Sequence, residues 1–78
     1  MKLQLRGTLV SKIRQKFAKN LRKLRKARGF TQEELAEKLD ISVRYVQQLE
    51  GHQVPNVKLD TLATLAKVLN AAPKSFLA

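Results

Sequence analysis

Four side chains near the middle of the chain have the types and spacing needed to recognise base-pair edges. They are Val43, Arg44, Gln47 and Gln48. Because a helix turns 100° per residue, the four lie together on the outward face if Val46 and Leu49 point inward. Glutamine offers paired donor and acceptor groups to adenine, arginine offers a fork to guanine, and valine can meet the thymine methyl group in the major groove. On an arbitrary exposed helix such residues are usually only a solvated face, so the neighbouring elements decide the interpretation.

A short helix just before this face is predicted from Thr31 to about Leu39. Thr31 is a good N-cap and Glu34 lies three residues further on, so TQEE is typical of a capping box. The apolar stripe of the helix consists of Leu35, Ala36 and Leu39. The small side chain of Ala36 allows a second helix to cross closely.

The turn and the second helix follow at once. Asp40 occupies the turn, where aspartate tolerates a left-handed backbone, and Ile41 points back to the core. Ser42 is the next N-cap, and Val46 and Leu49 form the buried edge of a helix from Val43 to about Glu50. Two packed helices that hold one polar face outward favour base recognition over simple solvation.

Residues 16–78 resemble the helix-turn-helix domain of the Cro and phage-repressor family, often called Xre-like. The matching segments are LRKLRKARGFTQEELA, the DIS turn, RYVQQLEG and LDTLATLAKVLNAAPKSFL. The resemblance implies an all-α, compact five-helix bundle like the lambda repressor domain, with the helix-turn-helix at helices 2 and 3. It also implies a sequence-specific transcriptional regulator that binds double-stranded DNA.

The resemblance also implies roles for individual residues. Gln32 would contact a phosphate and brace the recognition helix, while Arg25 and Glu50 would form a partly buried ion pair. The positions that would face the bases are Val43, Arg44, Gln47 and Gln48. Two positions depart from the family pattern: Asp40 stands where glycine is more common, and Val43 stands where several relatives carry glutamine. The target sequence therefore cannot be copied from those relatives.

The loop and the C-terminal segment have expected roles through the same resemblance. The loop GHQVPNVK would border the DNA, which makes Gln53, Asn56 and Lys58 candidates for phosphate contacts, although polar loop residues are often only solvated. The C-terminal segment would supply the contact of a homodimer through Phe76 and Leu77, with recognition helices about 34 Å apart on a palindromic operator. Alternatively, Phe76 closes the core of the monomer, or it serves both roles.

Length and composition exclude several other classes. A chain of 78 residues is expected to form one domain, which here would be built from helices because no run of alternating strand formers is present. It has no cysteine and its one histidine is His52, so no zinc site or ordinary Cys-His or Ser-His catalytic arrangement is expected. The carboxylates form no metal-ligand pattern, and no phosphate-binding glycine loop is present. We therefore expect no enzyme activity, no metal and no cofactor.

Charge is concentrated at the front of the chain. Residues 1–28 hold 11 of the 16 lysines and arginines and no acidic residue, whereas residues 29–78 carry a net charge of −1. Such a field favours polyanions and gives an affinity that falls with salt, because neutralised phosphates release their counterions. Phosphate contacts position a protein while base contacts specify sequence, so the front segment and the Val43–Gln48 face are expected to have different roles.

The front segment itself contains an amphipathic pattern. Apolar residues recur at helical spacing at Leu9, Ile13, Phe17, Leu21 and Leu24. They predict a helix from near residue 9 to Arg28, ended by Gly29. Residues 1–15 extend beyond the family domain at 16–78, either as the start of a long first helix or as a basic extension. In the second case Met1–Gly7 forms a flexible arm along DNA or a disordered tail.

Later elements and alternative functions complete the prediction. The segment Leu59–Leu69 is expected to be core, with Leu59 and Ala63 on its apolar side, followed by a short helix from Pro73 to Leu77.

No apolar segment is long enough to span a membrane and no signal peptide is evident, so a cytoplasmic protein is expected. The alternatives are an antitoxin that mainly binds a protein partner, and a basic amphipathic module for anionic membranes or acidic proteins.

Overall fold

The computed structural model describes residues 2–78, with side chains from residue 8 onward. Its elements are helices α1 (Lys2–Ala27), α2 (Gln32–Leu39), α3 (Val43–Leu49) and α4 (Leu59–Val68), followed by a 3₁₀ helix (Pro73–Phe76). None of the helices in the described range is long and apolar enough to cross a bilayer.

The prediction of an all-α fold holds, but the prediction of five helices is wrong, because the described residues form four α-helices. The expected fifth helix is one 3₁₀ turn, in which Ser75 N–H donates to Ala72 O at 2.9 Å and Leu77 N–H donates to Lys74 O at 3.1 Å. Four residues that begin with proline are too few for a ladder of i→i+4 bonds, and 3₁₀ geometry is the usual form of such short pieces.

Helix α1 begins at Lys2, earlier than the expected start near residue 9, and Gly29 follows its end with a positive φ of 76°. The end confirms the prediction for Gly29, since glycine adopts this conformation without a steric penalty. Met1 and the side chains of residues 2–7, where the sequence leaves a flexible arm open, lie outside the described residues. Within the apolar stripe Phe17 and Leu21 are buried and Leu24 is half-buried, whereas Leu9 and Ile13 remain exposed.

The core lies between α1, the helix-turn-helix and α4. The fully buried large side chains are Leu21, Leu35, Val46, Leu49, Leu65, Leu69 and Phe76. Phe76 packs on Phe17 with ring centroids 5.8 Å apart, which fastens the 3₁₀ helix to α1. The prediction that Leu59 and Ala63 belong to the core is wrong: both are exposed, Leu59 at 81%. At 100° per residue both lie at the margin of the buried stripe of α4, and Leu59 is the first residue of that helix.

The turn between α2 and α3 follows the sequence prediction closely. Thr31 and Glu34 form both hydrogen bonds of the capping box, at 3.0 and 2.9 Å. Asp40 ends α2 in the left-handed region (φ 56°, ψ 46°), and Ser42 Oγ accepts from Tyr45 N–H at 3.1 Å to begin α3. These local bonds determine where α2 begins and ends and where α3 begins.

Candidate nucleic-acid interface

Helix α3 presents a polar face to solvent and buries its opposite side. Val46 and Leu49 are fully buried. Of the four predicted base-contacting residues, Arg44, Gln47 and Gln48 are exposed, whereas Val43 is half-buried and packs against the core. Among the residues that the structure describes, none donates to or accepts from the side chains of the three polar residues. Their hydrogen-bonding groups are therefore free for an external ligand.

A charged network fixes the C-terminal end of α3 to the rest of the fold. Arg25 Nε donates to Glu50 Oε2 at 2.6 Å, and Arg25 Nη2 donates to Glu50 Oε1 at 3.0 Å. The third nitrogen of the guanidinium, Nη1, donates to the carbonyl of Phe30 at 2.7 Å. Only 9% of the Arg25 side chain and 3% of the Glu50 side chain are exposed. The pair is bidentate and fully hydrogen-bonded, which is the geometry that offsets the cost of burying two charges.

Gln32 joins the same network from the start of α2. Its Nε2 donates to Glu50 Oε1 at 3.2 Å, so the carboxylate of the residue that ends α3 receives hydrogen bonds from both α1 and α2. The second N–H of that amide and its carbonyl oxygen have no partner among the described residues. Gln32 is half-buried, and it can brace α3 and still donate one hydrogen bond outward.

The loop from Gly51 to Lys58 carries the other predicted phosphate-contacting residues. Gln53, Asn56 and Lys58 are all exposed, and Val54 anchors the loop in the core with only 4% of its surface accessible. Arg14 Nη2 donates to Asn56 Oδ1 at 2.5 Å, which ties the loop to α1. The amide nitrogen of Asn56 has no partner among the described residues.

Two arginines on α1 have roles that the sequence analysis missed. Arg14 holds the loop, and Arg28 caps α4 by donating to Leu69 O at 2.7 Å and to Asn70 O at 3.2 Å. Both contacts join residues more than forty positions apart. Spacing along the chain carries no signal for such contacts, and arginines in a basic helix are otherwise expected to be solvated.

The predicted dimer contact divides into two different residues. Phe76 is fully buried against Phe17, so the structure favours the alternative in which it closes the monomer core. Its side chain is therefore not accessible on the surface of the monomer. Leu77 remains 48% exposed beside it. Asn20 Nδ2 donates to Phe76 O at 3.0 Å and holds this segment on α1.

Of the acidic side chains in this region, Glu34 caps a helix and Glu50 forms an ion pair, and they do not form a metal site in the described part of the chain. The hydrogen bond from the Thr31 backbone N–H, with a further one from its hydroxyl, lowers the pKa of Glu34 below its ordinary value of about 4.5. Within the described part of the chain, no three histidine, cysteine or acidic side chains gather closely enough to hold a metal ion. The arrangement provides hydrogen bonds, positive charge and apolar contact on a rigid helix, which are the means of base and phosphate recognition.

Comparison with known proteins identifies a matching family and similar structures. A helix-turn-helix family model matches residues 21–76. The structure is similar to a hypothetical transcription factor, NHTF, from Neisseria, with a TM-score of 0.77 and 30% identity over 85% of this chain and 75% of that one. It is also similar to the restriction-modification controller protein C.AhdI from Aeromonas hydrophila, with a TM-score of 0.73 and 36% identity over 81% of this chain and 94% of that one.

No curated protein sequence matches the chain. The family match covers most of the chain, and it includes α2, the turn and α3 in full. The chain therefore belongs to the Xre/Cro-like helix-turn-helix family of DNA-binding transcriptional regulators, which are not enzymes.

Proposed function

We propose that the chain binds a pseudo-palindromic operator as a homodimer, with α3 of each copy in the major groove. In this arrangement Val43, Arg44, Gln47 and Gln48 contact base edges. The phosphate contacts come from Gln32, Gln53, Asn56 and Lys58. The observation that carries the proposal is a face of α3 whose polar side chains have no partner among the described residues, while the opposite side is buried and the Arg25–Glu50 pair fixes the end of the helix. Rigid positioning of base-reading groups is what sequence discrimination requires.

An exposed apolar surface supports the homodimer. Ile13, Leu62 and Leu77 line one recess beside Val57, and Leu59 lies one turn before Leu62 on the same helix. Leu59 is 81% exposed and Leu77 is 48% exposed. Apolar side chains grouped on the surface of so small a domain are typical of an association surface. The proposed contact uses Leu77 with Leu59 and Leu62, and leaves Phe76 inside the monomer.

Selection of bound duplexes from a random pool tests the reading surface. The expected result is one enriched sequence with two inverted half-sites whose centres are about one helical turn, 34–36 Å, apart. A pool that stays random after selection would contradict sequence-specific binding. An enriched but asymmetric single site would contradict the homodimer and leave the reading face intact.

The oligomeric state is tested separately by sedimentation equilibrium. We expect Leu77→Asp to shift the protein toward the monomer, because a carboxylate would have to be buried in the contact. Ala72→Asp makes the same change in charge at an exposed position of the same segment and is the matched control. Equal association of both variants and the wild type would place the contact elsewhere.

A further inference from the structure

A row of polar and basic side chains on α1 lies outside the functions described so far. Gln15, Lys19 and Arg22 recur at spacings of four and three, so they form one stripe along the helix. Lys19 and Arg22 are exposed, and neither has an ion-pair partner among the described residues, where the one salt bridge joins Arg25 to Glu50. The stripe is called the lateral row below.

The lateral row forms one wall of a groove beside the end of α3. The groove has a volume of about 280 Å³, and its other wall is formed by Glu50, Gly51 and His52. The Glu50 carboxylate is already bonded to Arg25 and Gln32. The charges that the groove offers to a ligand are therefore positive and come from α1.

The position of the groove indicates what it can bind. Gly51 and His52 immediately follow the C-terminal end of α3, and the Arg14–Asn56 bond holds α1 against the same loop. If α3 occupies the major groove, the strand that borders that groove passes beside the end of the helix. A phosphodiester backbone supplies the anions, at a fixed spacing, that a row of Lys and Arg can neutralise.

We propose that the lateral row is a second phosphate-binding site, which holds the DNA backbone next to the half-site read by α3. The inference rests on the proposed placement of α3 in the major groove. Lys19 and Arg22 contribute affinity that does not depend on base sequence, with Gln15 as a further donor. The site also assigns a purpose to Gln15 and Lys19, two positions of α1 that precede the matched span at residues 21–76.

The test measures the salt dependence of binding to a fixed random-sequence duplex by fluorescence anisotropy, between about 50 and 200 mM salt. The double variant Lys19→Ala/Arg22→Ala should lower the slope of log affinity against log salt by about 1.8, because each lost phosphate contact is worth about 0.9. Affinity for the selected operator should fall by the same factor as affinity for the random duplex. The base preference should not change, since phosphate contacts carry no sequence information.

The matched control is Lys16→Ala/Lys23→Ala, which removes the same charge from exposed positions on α1 that do not line the groove. Its slope should stay close to that of the wild type. Equal slopes for both double variants would overturn the proposal, because the charge would then act only as a general field. Thermal melting of both variants verifies the fold, and charge reversal at the same four positions should enlarge the contrast.

Failure of this proposal differs from failure of the proposed function. If Lys19→Ala/Arg22→Ala leaves the salt slope unchanged while selection still yields an operator, the proposed reading face stands and the second phosphate site is overturned. If selection yields no operator but the slope still depends on Lys19 and Arg22, the row binds duplex DNA without sequence reading and its placement beside a half-site is overturned.

Discussion

Helix α3 and residues 8–16 of α1 are two surfaces that are built in opposite ways. The exposed side chains of α3 project from a helix whose back is fully buried and whose end is fixed by a bidentate ion pair. Residues 8–16 carry three basic side chains and no acidic one, and their Leu9 and Ile13 are exposed. Base reading depends on the direction of each hydrogen bond, whereas attraction to phosphate depends mainly on sign and distance. A surface that must discriminate is therefore anchored more heavily than one that only attracts.

The largest expected effect comes from breaking the anchor of α3. Replacement of Glu50 by alanine leaves the Arg25 guanidinium buried without its counter-ion and should lower the free energy of unfolding by about 3–5 kcal/mol. Chemical denaturation measures the loss. Glu33→Ala removes the same carboxylate from an exposed position of α2 and should change stability by less than about 0.5 kcal/mol. Similar midpoints for the two variants would mean that the pair does not hold α3.

A smaller effect is expected when the reading face is changed and the anchor is left intact. Arg44→Ala should weaken binding to the selected operator by about 1–3 kcal/mol, and binding to random duplex much less, because a base contact is lost. Titration of both duplexes measures the difference. Lys67→Ala, at an exposed position of α4, is the control for loss of one charge. Equal losses on the two duplexes would place Arg44 among the residues that only attract.

The capping box allows a finer test of how α2 supports Gln32. Thr31→Ala removes the hydroxyl that accepts from Glu34 N–H and should cost about 1 kcal/mol of stability. Thr31→Ser keeps that acceptor and should restore most of the loss. Calorimetry measures the melting temperatures of the wild type and the two variants, and the expected order is wild type, then serine, then alanine. If the serine and alanine variants have the same melting temperature, Thr31 stabilises the protein by packing and its capping hydrogen bond does not stabilise α2.

The smallest expected effect is a dependence on pH. The pKa of Glu34 is lowered in the fold by hydrogen bonds from Thr31, so its stabilisation is present above the unfolded-state value of about 4.5 and is lost as the pH falls through the folded value. Glu34→Gln keeps an acceptor for the Thr31 N–H but cannot titrate. Its melting temperature should therefore fall less steeply between about pH 5 and pH 3 than that of the wild type. Parallel curves would exclude Glu34 as a source of the acid sensitivity.

Sequence reasoning succeeded where the controlling interactions are local. The start of α2 follows from Thr31 and Glu34, three residues apart, and the turn at Asp40 follows from one residue's tolerance of a left-handed backbone. The burial of Val46 and Leu49 follows from helical periodicity alone. These signals lie within one or two turns of chain, which is the range over which side-chain chemistry fixes backbone conformation.

The failures occur where neighbours distant in the chain decide the outcome. Leu59 has the periodicity of a core residue, yet the core does not extend beneath the first turn of α4. The segment at Pro73 has a helix-starting residue, but it is too short for an α-helix. Arg25 and Glu50 are 25 positions apart, so their pairing could be expected only from a family resemblance. The roles of individual site residues in binding stay predictions.

No partner for the side chains of Arg44, Gln47 or Gln48 lies among the described residues, and this has a practical consequence for protein engineering. If the three residues read the operator as proposed, stability and target choice depend on different atoms of the same short helix, and the three positions can be randomised together with little change in melting temperature. A library of variants at these positions could be selected for binding to new operators, with little change in the free energy of unfolding of each variant. The domain is therefore a suitable scaffold for changing DNA target specificity.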